Sequence, residues 1–201
     1  MQNSRMNEEP AARDDLVYAY RPSLIGAASE FKLTADALEW SVGRRAGRVP
    51  FGKIRRLRMA YRPANMQAHR FVTEIWAEGA PKLQIVSSSW KSMLQQERLD
   101  KSYSAFIAEL HRRLAQAGAM PRLDQGSNRP LFWLSVIVFV GVELGLAGLV
   151  VRALQADANG GAAFVAIFLA LFLWQGGDFL RRNRPGVYRA DALPPLLMPK
   201  G

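Results

Sequence analysis

The chain has 201 residues, a formal net charge of +10 and no cysteine. The lack of cysteine excludes disulfides, thiolate metal sites and cysteine nucleophiles, and it fits a reducing compartment. A mean hydropathy of −0.07 hides a division, because residues 1–129 are mixed and charged whereas residues 130–180 are almost wholly apolar.

The N-terminus, MQNSRMNEEPAARDD, has no apolar segment of the kind a signal peptide needs. Residues 1–20 read as a polar arm, with strand-forming side chains already at Leu16, Val17, Tyr18 and Tyr20. From Phe31 the apolar period becomes two. Phe31 and Leu33 alternate with Lys32 and Thr34, and Leu38, Trp40 and Val42 alternate with Glu39 and Ser41, as in half-buried strands. Gly43 to Gly47 reads as a hairpin turn onto Arg48 to Phe51. Leu57, Met59 and Tyr61 then alternate with Arg56, Arg58, Ala60 and Arg62, and short strands follow at Phe71 to Ala77 and Lys82 to Val86. Tyr103, Phe106, Ile107, Leu110 and Leu114 make the stripe of an amphipathic helix, with Asp100 or Ser102 as its cap and Gly118 at its end. Residues 119–129 read as a polar linker.

Two apolar runs follow, residues 130–151 and residues 161–180. A helix needs about 20 apolar residues to cross a hydrocarbon layer of about 30 Å, so the pair is predicted to form a transmembrane hairpin. Arg122 and Arg129 precede it and Arg181, Arg182 and Arg184 follow it, while Arg152 and Asp157 cancel within the turn, residues 152–160. The excess of arginine on both flanks predicts cytoplasmic termini and an extracytoplasmic turn, with Trp133 and Trp174 at the cytoplasmic interface. Asp178 stands three and four residues from Arg181 and Arg182, the spacing of a helix-end ion pair. Gly141, Gly145 and Gly148 form one small face, and Ala162, Ala166 and Ala170 a matching one, so the two are expected to pack together. Glu143 is the one ionisable residue inside the first run. It lies about 200° around the helix from Gly141, which aims it away from the seam. That position suits a partner protein or homodimer mate, a tolerated protonated side chain, or a proton or ion relay. The tail, residues 181–201, is basic and proline-rich and is expected to be extended and loosely packed.

The stretches Phe31-Lys32-Leu33-Thr34-Ala35-Asp36-Ala37-Leu38-Glu39-Trp40, Val49-Pro50-Phe51, Ile54 to Tyr61 and Tyr103 to Leu110 together resemble a pleckstrin-homology-like domain. The whole chain resembles bacterial membrane proteins that join such a domain to one or two spans. The resemblance implies an α+β fold in which a β-sandwich or barrel over residues 21–118 is closed by one C-terminal amphipathic helix and followed by the helical hairpin. It implies a binding or scaffolding module and no catalyst or cofactor.

The strongest local signal is basic. Arg44, Arg45, Arg48, Lys53, Arg55, Arg56, Arg58 and Arg62 occur with no acidic residue between Trp40 and Phe71. Of these, Arg44, Arg45, Arg48, Lys53, Arg56 and Arg58 are expected to touch anionic lipid headgroups or a protein partner, set against the plainer reading of a solvated face. No aromatic residues interleave with them as stacking platforms, which argues against nucleic acid. His69 and His111 are isolated and make no metal site. Ser87 to Ser89 lack the setting of a nucleophile, and Gly43, Gly47 and Gly52 that of a phosphate loop. The reading is therefore a non-enzymatic inner-membrane binding or scaffold protein, with a subunit of a membrane enzyme or transporter complex that uses Glu143 as the alternative.

Overall fold

The computed structural model describes residues 15–23, 27–63, 69–91 and 96–199. Four antiparallel strands come first: β1 (Leu16–Tyr20), β2 (Ser29–Leu33), β3 (Ala37–Val42) and β4 (Arg45–Pro50), paired in chain order. Pro50 and a 3-10 turn, Phe51–Lys53, redirect the chain into a second antiparallel run, β5 (Ile54–Tyr61), β6 (Phe71–Ala77) and β7 (Leu83–Val86). A small ribbon, β8 (Ser88–Trp90) with β9 (Gln96–Arg98), leads to helix α1 (Asp100–Gln116).

The described strands do not close into a barrel. The hydroxyls of Tyr18 and Tyr20 on β1 donate to the carbonyls of Val86 and Gln84 of β7. Side chains thus stand between the two sheet edges where backbone pairing would otherwise close the ring. The core lies between the two sheets and α1. Phe31, Leu33, Leu38, Phe51, Leu57, Met59, Ile75 and Ile85 meet the predicted stripe of Tyr103, Phe106, Ile107 and Leu110, all at most 1% exposed. A polar contact crosses this core between the hydroxyls of Thr73 and Tyr103 at 2.7 Å. Gly118, at φ 64°, ends α1 as predicted, but the predicted N-terminal cap does not form, for Leu99 is the N-cap and makes no side-chain bond while Asp100 falls in the first turn. There its carboxylate still faces the positive end of the helix dipole.

The stretch expected as a linker carries β10 (Arg122–Gln125), which adds to β5 in parallel. The next element is α2 (Arg129–Gln155), with Asn128 as N-cap and a proline in its first turn, where no amide hydrogen is missed. Only Ala156, Asp157 and Ala158 separate it from α3 (Asn159–Arg182). Both helices are long and apolar enough to cross a membrane. The tail does not trail loosely. It returns as β11 (Gly186–Val187), antiparallel to β10, and buries Leu197 in the head at 2% exposure. β1, in turn, lies within the stretch read as a polar arm, of which residues 1–14 fall outside the described residues.

The seam of the hairpin differs from the expected one. The Phe139 ring lies over Gly176, so closely that no Cβ fits there. Glu143, one turn on from Phe139, is the buried residue of α2. Gly141, Gly145 and Gly148 face away, with nothing within 4 Å of a Cβ built on any of them. On α3, Ala162 is buried, Ala166 half-buried and Ala170 exposed. A large ring seated on one glycine sets the rotation of α2, and the other glycines follow to the outside.

Candidate functional site

Strand alternation puts Leu57, Met59 and Tyr61 of β5 into the core and leaves Arg56 and Arg58 on the opposite face of the sheet. The register sets Arg56 beside Trp76 and Arg58 beside Glu74 on β6. Glu74 is fully buried. Its carboxylate takes Arg58, Arg62 at 3.1 Å and Lys82 at 2.5 Å as partners. Burial alone would push this carboxyl up; hydrogen bonds from Lys82 and Arg58 and the charge of Arg62 outweigh burial and hold it below its ordinary value. The Trp76 ring is faced by Arg56 at 4.9 Å, Lys82 at 5.2 Å and Arg58 at 5.3 Å. Asp124 of β10 binds Arg56 at 2.5 Å and Arg122 at 2.9 Å. Five cations thus surround two carboxylates and one indole, and all but Arg58 remain partly exposed.

This face sits at the foot of the hairpin. Arg58 also donates to the Asn128 side chain at the start of α2. At the end of α3, Asn183 accepts from the Tyr61 amide at 3.2 Å, and its carbonyl accepts from the Ser127 amide at 3.0 Å. Arg182 lies over the Tyr61 ring at 5.0 Å and pairs with Asp178 at 2.6 Å, as its spacing predicted. Gly126, at φ 74°, passes so close to the carbonyls of Asn183 and Arg184 that only glycine fits.

The six basic residues singled out in the sequence do not form one patch. Arg44 and Arg45 are exposed at the β3–β4 turn, and Arg48 pairs with Asp36 at 2.6 Å on the first sheet. Lys53 is exposed in the turn between the sheets. Arg56 and Arg58 belong to the second sheet, and Arg58, its side chain 8% exposed, is committed to Glu74 rather than open to a ligand. Sequence reasoning missed Glu74, Trp76, Lys82, Asp124, Asn128 and Asn183. For Glu74 and Trp76 the alternation of β6 was a usable signal, since it puts both on the face opposite Thr73 and Ile75.

Glu143 forms a second, separate feature. Both its carboxylate oxygens are buried in the seam and have no hydrogen-bond partner. Among the described residues no group of three or more histidine, aspartate or glutamate side chains is placed to hold a metal ion. Comparison with known proteins finds no matching family model, no matching curated protein and no matching solved structure.

Proposed function

We propose that this is a non-enzymatic, integral membrane protein of the bacterial inner membrane, in which α2 and α3 span the bilayer and the sheet domain lies on the cytoplasmic leaflet through the basic face of β5, β6 and β10. One observation carries the reading: an excess of cations around Trp76 is fastened directly to the ends of two helices of membrane-crossing length. An anionic leaflet attracts each nearby cation by on the order of 1 kcal/mol, and an indole favours the interface. The four-plus-three order of antiparallel strands, followed by an amphipathic helix, supports a pleckstrin-homology-like head, although its ring is open. Its role is then binding or scaffolding at the membrane surface.

The chain lacks cysteine, so single cysteines report topology cleanly. Asp157→Cys should be labelled by an impermeant maleimide on intact cells, and Ala115→Cys only after permeabilisation; the reverse pattern sinks the orientation. In nanodiscs at low salt, phosphatidylglycerol should raise the melting temperature above that in phosphatidylcholine, because a ligand of the folded state stabilises it. Replacing Arg56, Arg62, Lys82 and Arg122 by glutamine should remove that increment. Its persistence would transfer the role to a protein partner.

The unpartnered carboxyl of Glu143 supports a second reading, a subunit of a membrane enzyme or transporter complex. Glu143→Gln should then abolish co-purification of its complex or the complex's activity; if both survive, this reading fails.

A further inference from the structure

We propose that the cleft between the end of α3 and the returning tail holds the phosphate headgroup of an anionic phospholipid; this rests on the membrane reading above and names a discrete site within it. The cleft has a volume of about 300 Å³ and is walled by Arg181 and Arg182 of α3, Gln125 of β10, and Tyr188, Pro194 and Leu196 of the tail. Its two arginines differ. Arg182 is occupied by Asp178 and by the Tyr61 ring. Arg181 is 68% exposed along its side chain, and its nearest carboxylate, Asp178, is 3.5 Å away. Its guanidinium therefore retains donors for an incoming oxyanion, and a planar fork suits phosphate. The carbonyl end of a helix carries about half a negative charge, which opposes an anion. Two guanidiniums, with exposed Arg184 just beyond, outweigh it.

The opposite wall is apolar. Leu196 is 38% exposed although Leu197 beside it is buried, so the tail presents one leucine to the cleft while anchoring itself with the next. A charged wall facing an apolar lip matches an amphiphile, whose phosphate and first methylenes need both, better than it matches free phosphate. The cleft also lies where α3 leaves the apolar segment, at the depth of the headgroups if the helices span. The tail is held there by a bond between the Tyr188 hydroxyl and His111 at 2.9 Å and by β11.

Native mass spectrometry of the full chain in detergent, with added phosphatidylglycerol or phosphatidylcholine, tests the site. The wild type should retain phosphatidylglycerol selectively. Arg181→Gln should weaken that retention about fivefold, the loss of one interfacial cation. Leu196→Trp, which fills the cleft without changing charge, should weaken it at least as much. Glycerol phosphate should displace none of the lipid, and displacement would assign the site to a soluble phosphate instead. Arg62→Gln with Lys82→Gln, on the separate basic face, should weaken retention less than Arg181→Gln does. Retention unaffected by Arg181→Gln and Leu196→Trp overturns the cleft. If the Arg62 and Lys82 pair alone abolishes it, the cleft is overturned while the broader membrane reading stands. Recovery of the chain from a lysate without detergent would fail that broader reading instead.

Discussion

The Tyr61 backbone amide and the Asn183 side-chain oxygen meet at 3.2 Å across 122 residues of sequence. Through them the last residue of β5 is tied to the residue that ends α3. The same strand reaches the start of α2 through Arg58 and Asn128. Head and hairpin are thus joined at both feet, without a free linker.

Asn183→Ala should leave the Tyr61 amide buried and unpaired, at a cost of about 1–3 kcal/mol. Hydrogen exchange resolved to single amides should show Tyr61 losing protection before the β5–β6 ladder does. Unchanged protection would mean that the bond is incidental.

Glu74 is the counterion of three cations, and its loss strands Arg58 in a buried position. Glu74→Leu should cost about 3–5 kcal/mol, as for a broken buried pair. Lys82→Met, which removes one exposed partner of three, should cost under about 1 kcal/mol. Denaturant titration in detergent compares them, and equal effects would contradict the central place given to Glu74.

Acid should weaken the fold in two stages. Burial holds the His111 imidazole below its ordinary value of 6.5, so as the pH falls past 6.5 the unfolded chain takes a proton that the folded chain resists, and stability declines. Glu109 is held at about 2, against an ordinary 4.5, first by its hydrogen bond from Arg112 and then by that from Arg113. Glu74 is lowered as well. Their stabilisation is complete above 4.5 and is lost as the pH falls below it. Melting temperatures from pH 8 to 3 should show both stages. His111→Phe should remove only the upper one, and Glu109→Gln should flatten the lower one.

The hairpin seam offers a contrast between two glycines. Gly176→Leu must displace the Phe139 ring, whereas Gly145→Leu enters open space. The first should loosen α2 against α3 and lower the melting temperature in detergent by several degrees; the second should leave it nearly unchanged. The opposite ranking would restore the glycine face as the packing seam.

Where a signal is local, the chain discloses its structure. Period-two runs marked most strands, the Tyr103 to Leu114 stripe marked α1, and apolar length marked α2 and α3. Long-range partners left no such trace. The four residues Arg-Leu-Asp-Gln of β10 form a strand because β5 offers them an edge, and they have no period of their own. Leu197 is buried because β11 brings the tail home. The three glycines aim Glu143 outward, but one phenylalanine seated on Gly176 decides the rotation. Glu74 carries no local mark of its role, since its cations, Arg58, Arg62 and Lys82, come from other places in the sequence.

Fastening both feet to one strand turns the hairpin into a lever. A helix pair adapts to a thicker or thinner bilayer by changing its tilt, and a head hung from a single flexible joint would ignore that change. With the hairpin in a bilayer as proposed, the two anchor points leave no swivel, so a change of tilt would roll the sheet against the leaflet, lifting some arginines from the surface and pressing others into it.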